Sequence, residues 1–248
     1  MQPKTPTEIA AMRESGRMLA TILQLIRKKV TAGMTPKDIS AMAERELKKL
    51  GGEAPFRGFE GFPDIICISN NNEVQHGIPS DRPFKNGDIV NFDFGVSYQR
   101  MVTDAGITVC IGGKPDKAGA RLLKGTEEAL YTGLDVVHDG ARVGDISAAV
   151  ESVLRKYELG IVRELVGHGV GHQLHEAPEI PNYGRAGTGP LLKAGMTIAI
   201  EPITTLGSHK IFSAHDGWTL LTVDGSRSAQ FEHTVLVTET GCEILTQL

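Results

Sequence analysis

The chain repeats itself. Gly33, Asp38, Ile39, Ser40, Ala41, Leu47 and Lys49 recur at one constant offset as Gly140, Asp145, Ile146, Ser147, Ala148, Leu154 and Lys156. A nearly equal offset then lays Lys85-Asn-Gly-Asp-Ile-Val-Asn-Phe-Asp93 on Lys193-Ala-Gly-Met-Thr-Ile-Ala-Ile-Glu201, so a carboxylate falls at the same place in both segments. His76-Gly-Ile-Pro79 likewise matches His175-Glu-Ala-Pro178. A short helical motif repeats easily by chance; helix and strand registers recurring in the same order are much harder to dismiss. Such a chain is constrained to two similar halves. Each half reads as two helices plus a group of antiparallel strands, an α+β arrangement. A pseudo-twofold axis between the halves would set their equivalent carboxylates face to face.

Local signals place the elements. Ile9, Met12, Met18, Leu19, Ile22 and Ile26 recur at helical spacing and predict a helix over 7–29. Thr35-Pro36, a cap residue followed by proline, starts a second helix that ends at Gly51-Gly52. Further helices are expected near 116–137 and 144–157. Strands are expected over 64–69, 88–94, 101–111, 162–166, 196–201, 210–213, 218–222, 229–238 and 242–246, with Gly95–Gln99 as a turn and 182–190 as a surface loop. The 248 residues suit one large domain or two small ones. With no linker or low-complexity tract, a single domain over 1–248 is expected, its halves near 7–112 and 116–248.

Composition excludes several classes. A net charge of −4 with no basic patch argues against nucleic acid as a partner. No secretory signal and no membrane-spanning run is read. Three cysteines, Cys67, Cys110 and Cys242, are too few and odd in number for a disulfide framework, so a reducing cytoplasm is expected.

The chemistry lies in acids set among apolar, β-branched neighbours. Asp93 follows Ile89-Val-Asn-Phe, and Asp104 lies in Met101-Val-Thr-Asp-Ala. His168 lies in Gly167-His-Gly-Val-Gly171, Glu201 in Ile198-Ala-Ile-Glu-Pro202, and Glu232 in Gln230-Phe-Glu-His-Thr234. Any one of them alone reads more simply as a turn, cap or surface residue. Together they are costly to bury unless a cation is shared. In a hairpin, Asp93 and Asp104 can sit across from each other on one face. Four carboxylates and a histidine exceed the needs of one ion and suit two divalent ions with a bridging water as nucleophile. No Cys-x-x-Cys pair, phosphate-loop ending or Gly-x-Ser-x-Gly elbow offers another chemistry.

These segments, with Thr5-Pro-Thr-Glu-Ile-Ala-Ala-Met-Arg13, Asp216-Gly-Trp218 and Gly241-Cys-Glu-Ile-Leu245, closely resemble type I methionine aminopeptidases along nearly the whole chain. The resemblance implies a pita-bread fold, a curved central sheet with helices on its outer face. It implies removal of the initiator methionine from nascent polypeptides whose second residue is small, by hydroxide attack on the first peptide bond. Asp93, Asp104, His168, Glu201 and Glu232 would hold two divalent ions (Co, Mn, Fe(II) or Zn), with Asp104 and Glu232 bridging. Glu201 would shuttle the proton, His175 would polarise the carbonyl, and His76 would contact the scissile amide. Phe59, Phe62, Cys67 and Trp218, with His76 nearby, would form the methionine pocket. The implied protein is a cytoplasmic monomer whose partners are nascent N-termini, with the ribosome as a candidate meeting place. Phe59 and Phe62 stand where many bacterial members have tyrosines, and Gln75 where cysteine is frequent. Two other readings compete: a proline-directed peptidase of the same fold, and a non-catalytic binding module. Neither fits as well, because the first helix begins within ten residues of Met1 and all five expected ligands are present.

Overall fold

Each half opens on helices whose starts are written in the sequence. In the computed structural model, which describes residues 2–248, α1 spans Pro6–Lys29 and α2 spans Pro36–Leu50. Thr35 Oγ1 accepts the Asp38 N–H, and Asp38 Oδ2 accepts the Thr35 N–H at 2.8 Å. This reciprocal cap satisfies donors that a helix start leaves orphaned. In the second half α3 spans Lys117–Asp135 and α4 spans Val143–Lys156. Asp145, the repeat counterpart of Asp38, accepts the Arg142 N–H at 2.8 Å. Arginine has no acceptor to return the bond, so the second cap is half of the first. The apolar repeat positions also match: Ile39 and Ile146 are fully buried, as is Leu154, with Leu47 nearly so.

The strands are β1 (Ile66–Asn70), β2 (Glu73–Gln75), β3 (Ile89–Tyr98) and β4 (Met101–Cys110), then β5 (Gly160–Ile161), β6 (Gly167–Gly169), β7 (Glu176–Ile180), β8 (Thr197–Ile200), β9 (Ile203–Thr205), β10 (Ile211–Ser213), β11 (Leu220–Thr222), β12 (Ser228–Gln230), β13 (His233–Val237) and β14 (Cys242–Ile244). The first half forms an antiparallel sheet β1-β3-β4, and the second repeats it as β6-β8-β13 within the order β14-β13-β8-β6-β7. Helices α1 and α2 bury one apolar cluster against β1, β3 and β4, while α3 and α4 bury another against β8 and β13. The two sheets meet where β4 runs beside β13. There the Asp104 N–H donates to Thr234 Oγ1 at 2.9 Å, Thr234 Oγ1 donates to the Asp104 carbonyl at 2.7 Å, and the Glu232 N–H donates to the Gly106 carbonyl at 2.9 Å. Two smaller sheets, β12-β9-β5 and β10-β11-β2, complete the structure.

Several expectations are corrected. Residues 95–98 are strand rather than turn. β3 continues to Tyr98, held by a backbone exchange between Ser97 and Glu53, and the hairpin turns at Gln99 and Arg100, both at positive φ. The expected strand 162–166 is a crossing between sheets: Val162 stays buried against Ile203, while Arg163 swings out over the Tyr183 ring at 4.8 Å. The expected strand 196–201 is β8, ending at Ile200, whereas the expected strand 229–238 is broken into β12 and β13. Pro202 cannot donate to a ladder, so β8 ends before it and β9 joins another sheet; β12 and β13 change sheets alongside. β2, β5, β6, β7 and β9 were not foreseen: four of them have three residues or fewer, and β7 carries Pro178, which argues against a strand in sequence. Replacing Ile39 or Ile146 with alanine should destabilise the fold by about 3 kcal/mol in either case. Matched losses in a urea melt would confirm that the two halves use the motif alike.

Candidate metal centre

Glu201 and Glu232 occupy the two points where paired strands leave one sheet for another, and Asp93 and Asp104 approach them from β3 and β4. In the β3–β4 ladder Asp93 faces Gly106, and Asp104 faces Gly95. The two acids therefore share one face on a diagonal, not directly across as expected, and each is opposite a glycine. Gly106 is required there: a Cβ would lie 2.1 Å from Gln230 Oε1. His168 projects from β6 opposite Ala199 of β8. All five side chains are buried, none more than 8% exposed. Three donor groups fall within 4.8 Å of one another: Asp93, Asp104 and Glu232; His168, Glu201 and Glu232; and Asp104, His168 and His175.

The hydrogen bonds leave these side chains open on one side. Gln230 Nε2 donates to Glu232 Oε2 at 3.1 Å, Glu201 Oε2 at 3.3 Å and Asp93 Oδ2 at 3.4 Å. Asn91 Nδ2 donates to Gln230 Oε1 at 2.8 Å and fixes the orientation of that amide. Asp93 Oδ1, Asp104 Oδ1 and Glu232 Oε1 are buried without any protein partner. Buried carboxylate oxygens are not left bare without reason. His168 Nδ1 lies 2.9 Å from the Gly169 carbonyl, so the proton belongs there and the Nε2 lone pair is free. That nitrogen sits 3.6 Å from Glu201 Oε1, the spacing of two donors around a common centre rather than a hydrogen bond. Hard oxygens with one neutral imidazole make a donor set that fits divalent cations.

Electrostatics agree. Burial, then the neighbouring acids, pushes the Asp104 and Glu232 carboxyls far above the usual range, and Glu201 likewise. Burial raises Asp93 to about 6, against the donors from Gln75 and Gln230. Burial and the nearby His175 lower His168 to about 4, so its ring is neutral at pH 7. His76 and His175 are also lowered by burial.

A cavity of about 500 Å³ opens beside the acids. Phe59, Phe62, Cys67 and Trp218 line it, and His76 and His175 stand at its junction with the acids. The Phe62 and Trp218 rings meet edge-on at 5.2 Å, and Phe59 meets His175 at the same distance. His175 also lies edge-on to His168 at 4.3 Å. His76 adopts φ 58°, a left-handed conformation rare for a residue with a side chain. It persists because Gly77 is pinned to β1 by bonds to Ile68 and Ser69. Burial, then Asp93 and Asp104, drives the Cys67 thiol well above its ordinary range, so it is an inert wall rather than a nucleophile. All eleven sequence-predicted residues thus converge on one site. Phe56, Leu174, Gln75 and Gln230 were missed. Gln230 was findable, since it lies two residues before Glu232, as Asn91 does before Asp93.

The model of metallopeptidase family M24 matches residues 10–239. The chain belongs to this family. It is 43% identical over 245 residues to methionine aminopeptidase 1 of Bacillus subtilis, covering 99% of this chain and 98% of that protein. The crystal structure of methionine aminopeptidase from Thermotoga maritima superposes with a TM-score of 0.98 at 42% identity, covering all of both chains. Prolidase from Pyrococcus furiosus shares the fold, with a TM-score of 0.80 at 24% identity over 99% of this chain and 65% of its own. The M24 assignment makes the chain a metallopeptidase, and the cluster of acids is its candidate metal site. Among the described residues, no helix is long and apolar enough to cross a membrane.

The raised carboxyls carry a consequence for stability. Asp93 titrates at about 6 in the fold and near 3.9 unfolded, so between these values the folded state holds the extra proton. Protein stripped by a chelator should lose thermal stability as pH rises from about 4 through 6, and further as the other acids ionise. Added divalent metal should reverse the trend at pH 7.5. A chelated protein whose melting point rises over that range would refute it.

Proposed function

We propose that the protein is a methionine aminopeptidase, removing the first methionine from polypeptides whose second residue is small. The observation that carries this reading is the largely apolar cavity, walled by Phe59, Phe62, Cys67 and Trp218, that ends on the buried acids. A soft, aromatic-lined space suits a thioether side chain, and a methionine seated there would have its peptide bond beside the acids. In this reading Asp93, Asp104, His168, Glu201 and Glu232 would together hold two ions, Asp93 on one side of the cluster and His168 with Glu201 on the other. Support comes from the donor groups, in which Glu232 belongs to both sets and Asp104 joins Asp93 as well as His168. His175 is assigned to the substrate because it is exposed on the cavity side while the other donors are buried. Both halves supply ligands, so we treat the whole chain as one catalytic domain. A monomer in the cytoplasm is the simplest setting for three free cysteines. Nascent N-termini are the partners, and the ribosome is where they would be met.

When bound, the divalent cations supply Lewis-acid activation of water and of the peptide carbonyl. The chain's own residues do the rest. Glu201, its carboxyl raised by burial and by Asp93, can take the proton of the attacking water and return it to the leaving amine. His175 donates a ring N–H to the carbonyl oxygen as negative charge develops there. His76, fixed by its backbone, orients the scissile amide. The phenylalanines and Trp218 exclude water from the side-chain pocket.

The deciding assay strips the protein with a chelator and reconstitutes it with Mn, Fe(II), Co, Zn or Mg against Met-Ala-Ser and an Ala-Pro peptide. Loss followed by metal-specific recovery on Met-Ala-Ser is expected; preferential cleavage of Ala-Pro would point to a proline-directed peptidase, and no metal response to a binding module. His175→Ala should lower kcat about 100-fold with little change in KM, since its bond forms in the transition state. An effect confined to KM would make it a ground-state contact only.

A further inference from the structure

Asp93 is unusual among the buried acids in how its two oxygens are treated. Oδ2 receives two side-chain amides: Gln75 Nε2 at 2.9 Å and Gln230 Nε2 at 3.4 Å. Oδ1 receives none. Gln75 comes from a different sheet: β2 pairs with β11, with Gln75 opposite Leu220, whereas Asp93 lies in β3 opposite Cys67 of β1. Gln75 is 2% exposed, and its own Oε1 has no partner. A flipped amide would set that oxygen against the Asp93 carboxylate and still leave a donor unmatched, so the charged acid selects the orientation seen. The shortest bond from a side-chain amide to any of the four clustered acids is therefore the one from Gln75, across a sheet boundary, to Asp93.

We propose that Gln75 is a positioning residue of the metal centre: its amide pins Asp93 Oδ2 and so holds Oδ1 toward the cation. This rests on the reading of the acids as metal ligands. A carboxylate free to rotate can offer either oxygen or both, and each rotamer lost on binding costs affinity; one held in place offers Oδ1 alone. The next residue is His76, in its left-handed backbone conformation. Gln75 therefore ties the ligand of one ion to the segment that presents a substrate-facing histidine. Gln230 cannot replace it, because that amide is shared among three acids and its contact to Asp93 is the longest of the three.

The test is Gln75→Met, which keeps the length of the side chain and removes its donor. Chelated wild type and variant are titrated calorimetrically with Mn(II), and the visible absorption bands of the Co(II)-loaded forms are compared. Binding to the site that contains Asp93 should weaken about 10- to 100-fold with the metal stoichiometry retained, and the Co(II) bands should shift. If Gln75→Met does not fold, Gln75→Ala is read in the same way, with circular dichroism of the chelated protein as the folding control. Wild-type affinity together with an unchanged Co(II) spectrum in a folded variant would overturn the positioning role and leave the metallopeptidase reading intact. Wild type that binds no Mn(II) or Co(II) would overturn the reading on which the role rests.

Discussion

Four carboxylates buried within reach of one another repel, and much of the structure is arranged around that repulsion. Two unit charges 4 Å apart interact by about 4 kcal/mol at an effective dielectric of 20, which is comparable to a large share of a domain's net stability. Protons relieve it in acid, and bound divalent cations would relieve it near neutral pH. Gln230 relieves part of it at all pH values by donating to Asp93, Glu201 and Glu232 at once. Asn91 and the missing side chain of Gly106 hold Gln230 where it can do so. The glycine, the asparagine and the glutamine are thus explained by the acids rather than by the fold.

The doubling of the chain follows from the same constraint. A single sheet places alternate residues on one face, and neighbours on that face become crowded when all are acidic. Bringing two sheets edge to edge at β4 and β13 lets each half contribute its own pair, Asp93 with Asp104 and Glu201 with Glu232, from opposite sides. The Thr234 hydroxyl that bridges the backbone of Asp104 sets the distance between the pairs. The halves differ where the ladder permits: Asp93 lies inside a ten-residue strand, whereas Glu201 sits at a break enforced by Pro202.

Much of this was legible because repeat positions each have a local cause. Asp38 and Asp145 cap helices, Ile39 and Ile146 fill cores, and Asp93 and Glu201 face the centre; each role shows in a few adjacent residues. What stayed hidden depends on contacts between distant segments. The turn expected at Gly95–Gln99 was overridden by pairing with Glu53, which no local pattern announces. The break in the strand expected over 229–238 arises because β12 and β13 pair in different sheets, alongside β9 and β8. Gln75 stands out in sequence only as a departure from the family, until Asp93 is placed beside it from another sheet. The convergence of the pocket residues was implied by resemblance, since nothing in the spacing of Phe59, Cys67 and Trp218 brings them together.

The site divides charge from neutrality in a way that suits hydrolysis of an N-terminal bond. The acids need cations, whereas every histidine facing them is kept neutral by burial. A protonated His168 would compete with a cation for Glu201, and a protonated His175 would lie against it at ring distance. Neutral rings can instead offer a lone pair to a metal or an N–H to a substrate oxygen. Cys67, held as a thiol by the same burial and by Asp93, presents a soft uncharged wall next to the hardest donors in the molecule. A substrate with an apolar side chain and a polar bond next to it can satisfy both regions at once. One with an acidic first side chain would have to desolvate that charge among Phe62, Cys67 and Trp218, beside acids that repel it. Selectivity against an acidic first residue is therefore a consequence of the same buried acids.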